Sequence, residues 1–286
     1  MTSVSKWVAG ARPRTLAAAI APVMVATAFA GSQWSPWRAL LALIVSLALQ
    51  IGVNYANDYS DGIRGTDDSR IGPMRLTASG LAKPGAVKAA AAISFLVAAL
   101  AGLALASLTT WWLVLVGALA INAAWGYTGG KQPYGYLGFG EFSVFIFFGL
   151  VATVGSYYVQ SEQLNWQILL LSVPVGLLSC AILVINNLRD LPKDALVSKR
   201  TVAVRIGDIN TRKFFAFLLI TAQLAALSAI GIDQLVVLTL VCLPFTYQVV
   251  KQVLGGAKDA ALITVLNNTA RLQLLMSALI ATALYI

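Results

Sequence analysis

The sequence predicts an all-α polytopic membrane protein, one domain over residues 1–286, with nine transmembrane helices and a cytoplasmic N-terminus. Three observations carry that expectation. Hydrophobic residues make up 59% of the chain and charged residues only 11%, with a mean hydropathy of +0.80. Soluble domains carry about 25% charged residues, so this chain lacks the polar surface that water requires. Nine apolar runs approach the roughly 20 residues that a helix needs to cross hydrocarbon. The basic residues, finally, gather on every second connection between those runs, as cytoplasmic loops do.

Taken in order, the first run covers 14–31 and follows Lys6, Arg12 and Arg14. That start resembles a secretory leader, but the later runs make a retained first helix the expectation. The others cover 38–57, 86–107, 111–127, 141–160, 165–187, 213–231, 234–252 and 264–285. The Ala- and Gly-rich stretch Ala89–Ala106 suits close packing in lipid and equally an ordinary lipid-facing helix. With the N-terminus inside, segments 58–85, 128–140, 188–212 and 253–263 face the cytoplasm. These segments, their flanks and the N-terminus hold all 20 basic residues except Arg38 and Arg271, so 18 obey the positive-inside rule. Miscounting one helix would break the alternation. The inner connections 58–85 and 188–212 also hold seven of the eleven acidic residues, which places any chemistry on the cytoplasmic face.

Composition excludes several functions. The net charge of +9 lies in short inter-helix segments rather than on a soluble scaffold, so no nucleic acid is expected as partner. Cys180 and Cys242 are isolated in apolar stretches, which argues against disulfides and cysteine-bound metals. Histidine is absent, and with it His-based acid–base catalysis and the HExxH zinc chemistry. No Gly-rich P-loop occurs either.

Two acidic segments stand out. The first, NYANDYSDGIRGTDDSRIGPMRL, runs from Asn54 to Leu76 and sets Asn54, Asp58 and Asp61 at i, i+4 and i+7, on one helical face. The second, NNLRDLPKDALVSKRTVAVRIG, runs from Asn186 to Gly207 and sets Asn186, Asp190 and Asp194 at i, i+4 and i+8 if the helix continues, with a break expected near Pro192. Each closes an even-numbered run, so both lie on one side, a pattern that hints at a duplicated four-helix unit. The bland alternative is a pair of solvated helix ends. Like charges four residues apart repel, however, and the pattern occurs twice, so a cation should neutralise them. Carboxylate oxygens suit Mg²⁺, which takes one or two carboxylates plus substrate phosphates. Arg64, Arg70, Arg75, Lys131, Lys199 and Arg200 share that face and can hold phosphate oxygens directly. In a lipid setting the fitting ligand is a diphosphate on an apolar tail, such as an isoprenyl diphosphate.

The paired motifs NxxxD at Asn54–Asp58 and DxxxD at Asp190–Asp194, with the spacing of Tyr127 and Lys131, resemble those of the UbiA superfamily of intramembrane prenyltransferases. NDYSDGIRGTDD (57–68), GPMRLTASG (72–80), YTGGKQPYGYLGFGE (127–141) and the run 186–207 are most similar to its 1,4-dihydroxy-2-naphthoate prenyltransferase branch. The resemblance covers nearly the whole chain, in order. Two positions depart from it. Gly65 stands where some members carry a further Asp, a role left to Asp67 or Asp68, and Lys131 stands where many close relatives carry Pro.

The resemblance implies a UbiA-like bundle in the cell membrane that transfers a polyprenyl group from its diphosphate to dihydroxynaphthoate with Mg²⁺, losing the acceptor's carboxylate and giving demethylmenaquinol, a menaquinone precursor. Asp58, Asp61, Asp190 and Asp194, with Asp67, are the candidate metal ligands, and Asn54 and Asn186 amide ligands or hydrogen-bond partners. Arg64, Lys199 and Arg200 are diphosphate clamps or topology markers, and Arg70 and Arg75 candidates for the aromatic carboxylate. Tyr127 positions the acceptor or shields a carbocation with its ring face, or else belongs to an interfacial belt. Arg271, about seven residues into the ninth run, is a functional charge or a snorkelling one. Phe145, Phe147 and Phe148 are candidates for a prenyl tunnel or ordinary core. Two rivals remain: a sister prenyltransferase taking 4-hydroxybenzoate, and a secondary transporter, whose sites usually lie nearer the bilayer midplane.

Overall fold

The apolar runs all become helix. A computed structural model describes residues 4–65, 74–197 and 199–286. An unanticipated short helix, α1 (Val4–Gly10), leads through a 3-10 turn at Pro13–Thr15 into α2 (Ala17–Ala30), and the two arms meet at 56°. α3 (Pro36–Ile63) and α4 (Pro84–Leu108) both start on proline, whose missing N–H costs nothing in a first turn. α5 (Trp112–Gly126) is the short one, at 15 residues. The fifth run is composite: α6 (Gly140–Val144), a π-helical stretch Phe145–Val151, and α7 (Ala152–Ser161). α8 (Trp166–Asp194) is capped by Asn165, whose side chain accepts from the Ile168 amide at 3.1 Å. α9 (Val202–Ser228) breaks at Gly207, whose φ of 78° admits little but glycine. The eighth run begins as a 3-10 helix, Gln234–Cys242, and continues as α10 (Leu243–Leu254); α11 (Asp259–Tyr285) closes the chain.

By length and apolar content, six helical segments among the described residues can cross a membrane, or seven when the bent pair at the N-terminus counts as one. α5 is too short for that measure, and α11 carries Asn267, Asn268, Arg271 and Gln273 along its length. The helices of the two acidic segments run further than their apolar runs. α3 continues past residue 57 to Ile63, and α8 past 187 to Asp194, with Pro192 inside its last turn. A proline there removes one bond from a turn whose carbonyls are mostly unpaired anyway, so the acidic face stays helical. Asp67, Asp68 and Arg70 lie outside the described residues.

Two cores flank the middle of the bundle. The larger surrounds α8, the most buried of the six candidate spans, where Leu171, Val175, Leu178 and Ile185 pack against α2, α9 and α11. The smaller joins Tyr55, Ala56, Leu76, Val87, Ala91 and Phe95 between α3 and α4. The π-helical stretch meets α8 backbone to backbone: a Cβ on Gly149 would lie 2.6 Å from the Gly176 Cα. Outside, large apolar side chains such as Ile93, Leu100, Leu119, Phe217 and Leu224 are exposed, a surface made for lipid rather than water. Trp34, Trp37, Trp111, Trp112 and Trp166 are exposed beside the N-terminal ends of α3, α5 and α8, opposite the acidic ends of α3 and α8. Arg38 sits at the same tryptophan-rich end, bound to Glu162 at 2.8 Å and to the carbonyls of Leu108 and Val159.

Candidate active site

The C-terminal ends of α3, α5 and α8 converge, and Tyr136 is the residue that joins them. It lies in a 3-10 turn, Tyr134–Leu137, between α5 and α6. Its hydroxyl donates to Asp61 Oδ1 at 2.6 Å, while its carbonyl accepts from the Arg200 amide at 2.8 Å. Arg64 and Lys199 stand 5.4 and 5.3 Å from its ring centre. Lys199 also pairs with Asp194 Oδ1 at 3.3 Å. Asp194 is buried, and its Oδ2 has no hydrogen-bond partner among the described residues. Through Tyr136 and Lys199, Asp61 of the first acidic segment is linked to Asp194 of the second.

The remaining acidic positions are more occupied than their spacing suggests. Asp58 is fully buried, and its two oxygens accept from the amides of Leu76 and Thr77 at 2.8 and 2.9 Å. It therefore holds the turn at 74–80 against α3. Asp190 is gripped by its neighbour Arg189 through two bonds of 2.8 Å. Among the described residues no group of three or more acidic or cysteine side chains is already gathered as a metal cage.

The basic candidates divide. Arg64 donates to the carbonyls of Thr128 and Gly130, at the loop after α5. Arg75 is buried, with its guanidinium 3.8 Å from Asp61 Oδ2. The side chains of Lys131 and Arg200 are exposed. Arg271 is also exposed on α11 and does not line the neighbouring cavity.

Next to this cluster lies a cavity with about 1560 Å³ of unfilled space, counting its open mouth. One end is polar: Arg12, Thr15, Gln50, Asn54, Asn57, Tyr127 and Asn186. The rest is mostly apolar, walled by residues such as Val45, Leu105, Leu113, Phe147, Phe148 and Val159. Along α3 the lining runs from Ala42 to Asn57, about 22 Å at 1.5 Å per residue, so the cavity extends through much of the bundle. Phe147 and Phe148 face it, whereas Phe145 packs against the large core. The four Asp carboxylates adjoin the polar end without lining it.

Tyr127 is seated with unusual care. A Cβ on Gly135 would meet its ring at 3.2 Å, and one on Gly140 its hydroxyl at 3.1 Å, so both glycines make room for it. Tyr134 stacks edge-on at 5.6 Å. Tyr134 closes the cavity sideways: its hydroxyl reaches the Ala123 carbonyl at 2.7 Å and Ser143 Oγ at 2.8 Å. Asn54, a candidate amide ligand or hydrogen-bond partner, anchors the N-terminal bend, donating to the Ala11 carbonyl at 2.9 Å and to Thr15 Oγ1 at 3.2 Å. Sequence reasoning missed Tyr136, Asn57 and Arg12 as site residues. Tyr136 lay inside a quoted string; Arg12 carried only the signal of a topology marker.

Comparison with known proteins completes the picture. A Mycobacterium tuberculosis protein named 1,4-dihydroxy-2-naphthoate octaprenyltransferase is 49% identical over 288 residues, covering 99% of this chain and 98% of that protein. An Escherichia coli protein of the same name is 41% identical, covering 74% of this chain and 72% of its own length. Among solved structures, a UbiA homolog from Aeropyrum pernix superposes with a TM-score of 0.71 at 14% identity, covering 94% of this chain and 96% of its own. One from Archaeoglobus fulgidus, bound to DMAPP and Mg²⁺, gives 0.67 at 14% identity, covering 98% and 99%. Those two establish the shared fold. The model of the UbiA prenyltransferase family matches residues 19–282, and the chain belongs to that family.

Proposed function

We propose that this protein transfers a polyprenyl group from polyprenyl diphosphate to 1,4-dihydroxy-2-naphthoate. A ring carbon bonds to the allylic carbon, the allylic C–O bond breaks to release diphosphate, and the carboxylate leaves as CO₂, giving demethylmenaquinol. The observation that carries this reading is the cavity, apolar along most of its length and polar where it meets the acidic and basic cluster. Such a space suits a greasy tail whose charged head stays at the helix ends. The acceptor follows from relatives that bear its name over the whole chain.

The donor set fits Mg²⁺: it is all carboxylate oxygen, and a buried Asp194 oxygen lacks a partner among the described residues. Asp61 and Asp194 would hold the ion, with Asp58, Asp190 and Asp67 as further ligands. Bound there, Mg²⁺ would offset the negative charge gathering on the departing diphosphate. Lys199, Arg64 and Arg200 would hold the diphosphate oxygens, and Tyr136 would orient Asp61 between them. Tyr127, fixed in its slot by Gly135, Gly140 and Tyr134, would present its ring face to the reacting allylic carbon. Apolar walls would keep water from intercepting that carbon. The proposed topology is nine spans in the cell membrane, with the N-terminus and the acidic helix ends on the cytoplasmic side. The gathering of 18 of the 20 basic residues on the connections and flanks at the acidic helix ends supports this orientation.

Membranes containing the protein, supplied with Mg²⁺, a polyprenyl diphosphate and dihydroxynaphthoate, should form demethylmenaquinol and release diphosphate and CO₂. Turnover with 4-hydroxybenzoate and none with dihydroxynaphthoate would overturn the acceptor.

A further inference from the structure

Arg205 ties together two segments that each carry part of the site. One is the turn Tyr134–Leu137, which holds the Tyr136 hydroxyl on Asp61. The other is the stretch 199–206, which brings Lys199 to Asp194 and opens α9. Arg205 Nη2 donates to the Leu137 carbonyl at 3.0 Å, across 68 residues, and its Nε to the Arg200 carbonyl at 3.1 Å. Beside those two bonds runs a third, from the Arg200 amide to the Tyr136 carbonyl at 2.8 Å. One planar fork thus grips both sides of the contact.

The seat of this guanidinium is built rather than incidental. Gly138 follows the turn with a φ of 82°, and a Cβ there would lie 3.0 Å from Arg205 Nε and 3.3 Å from the Arg200 carbonyl oxygen. A side chain at 138 would be strained by its backbone and would press on the fork as well. On the other side, Thr201 caps the first turn of α9, accepting from the Val204 amide at 3.4 Å, and its carbonyl accepts from the Arg205 amide at 3.0 Å. The helix breaks two residues later, at Gly207, which sets this first turn apart from the rest of α9.

A mere topology marker needs only a positive charge, which lysine supplies equally well. Arg205 is exposed, so its charge alone adds little. What it supplies is geometry: two carbonyls from distant segments meet a rigid pair of donors that a lysine ammonium does not reproduce. Resting on the function proposed above, we infer that Arg205 is a positioning residue, which seats the Tyr134–Leu137 turn so that the Tyr136 hydroxyl stays on Asp61. Its effect reaches the metal and diphosphate end of the site through Tyr136 and bypasses the aromatic acceptor. A residue that acts through one bond costs at most what loss of that bond costs, which bounds the effect at about tenfold.

The experiment compares wild type, Arg205→Lys, Tyr136→Phe and the double variant in nanodiscs, with thermal melting as the control for folding. Gly138→Ala displaces the fork by a second route and carries the test should Arg205→Lys fail to fold. Binding of Mn²⁺, in place of Mg²⁺, is followed by electron paramagnetic resonance with the slowly reacting geranyl S-thiolodiphosphate present, and both KM values are measured alongside. Arg205→Lys should raise the Mn²⁺ dissociation constant and the KM for polyprenyl diphosphate by about three- to tenfold, and the KM for dihydroxynaphthoate by less than about twofold. In the Tyr136→Phe background the same substitution should add less than about twofold, because residues acting through one bond are not additive. Gly138→Ala should follow Arg205→Lys. Equal factors in both backgrounds, or folded variants with unchanged Mn²⁺ binding, would overturn the inference and leave the proposed function standing. Wild-type protein that binds Mn²⁺ but does not prenylate dihydroxynaphthoate would overturn the proposed acceptor, while the binding cycle, which needs no turnover, still decides Arg205. Wild-type protein that binds no Mn²⁺ would overturn both.

Discussion

Tyr136→Phe isolates one hydroxyl at the centre of the site. The ring, and with it the seats of Arg64 and Lys199 at 5.4 and 5.3 Å, is retained; the bond to Asp61 Oδ1 at 2.6 Å is lost. That bond is buried and its acceptor is a carboxylate, so its removal costs about 1.5–3 kcal/mol. At roughly 1.4 kcal/mol per decade this corresponds to about 10- to 150-fold. Arg75, 3.8 Å from the other oxygen of Asp61, still restrains the carboxylate, which places the expectation near tenfold. The assay is a Mg²⁺ titration of turnover at several prenyl diphosphate concentrations, with thermal melting as the control for folding. The half-saturating Mg²⁺ concentration should rise and kcat/KM should fall, each by about tenfold. Tyr136→Leu, which also removes the ring from two cations, should cost more than Tyr136→Phe, by about 0.5–1 kcal/mol for each cation. A folded Tyr136→Phe with both parameters within about twofold of wild type would refute the claim that this hydroxyl orients Asp61.

Other perturbations probe the scaffold and the cavity. Gly149→Ala places a methyl 2.6 Å from the Gly176 backbone, so the two helical segments must part; the melting temperature should fall, reflecting about 1–3 kcal/mol of overpacking. Val45→Trp puts an indole into the apolar part of the cavity, and turnover of long polyprenyl diphosphates should drop relative to geranyl diphosphate in the same membranes. Arg271→Gln alters an exposed residue away from the site, so kcat/KM measured with dihydroxynaphthoate should stay within about twofold of wild type.

The helices were legible because apolar runs of spanning length have few other fates, and the acidic ends because like charges repeated four apart demand an explanation. Where those helices stop was not. α3 and α8 run on through polar residues that a hydropathy window discards, since Asp58, Asp61 and Asp194 find partners outside their own helices. Partners of that kind leave no trace in spacing. Asp61 meets Tyr136 across 75 residues, and Asn54 meets Ala11 across 43. Arg12 shows the opposite difficulty, because among 18 basic residues that obey the positive-inside rule a cavity-lining one carries no distinguishing mark. The glycines of the 127–141 string were similarly opaque: their reason is the bulk of Tyr127, visible only once the loop is folded around it.

The two bonds between Asp58 and the amides of Leu76 and Thr77 alter how an inactive variant should be understood. A side chain that already clasps a turn is under two selective demands at once, so its invariance would owe as much to architecture as to chemistry. Asp58→Asn keeps the shape but swaps an acceptor for a donor opposite two donors, and the turn should spring loose whatever becomes of the metal. Silence from that variant would therefore be ambiguous. The clearer witness is Asp194, whose second oxygen has no comparable duty among the described residues.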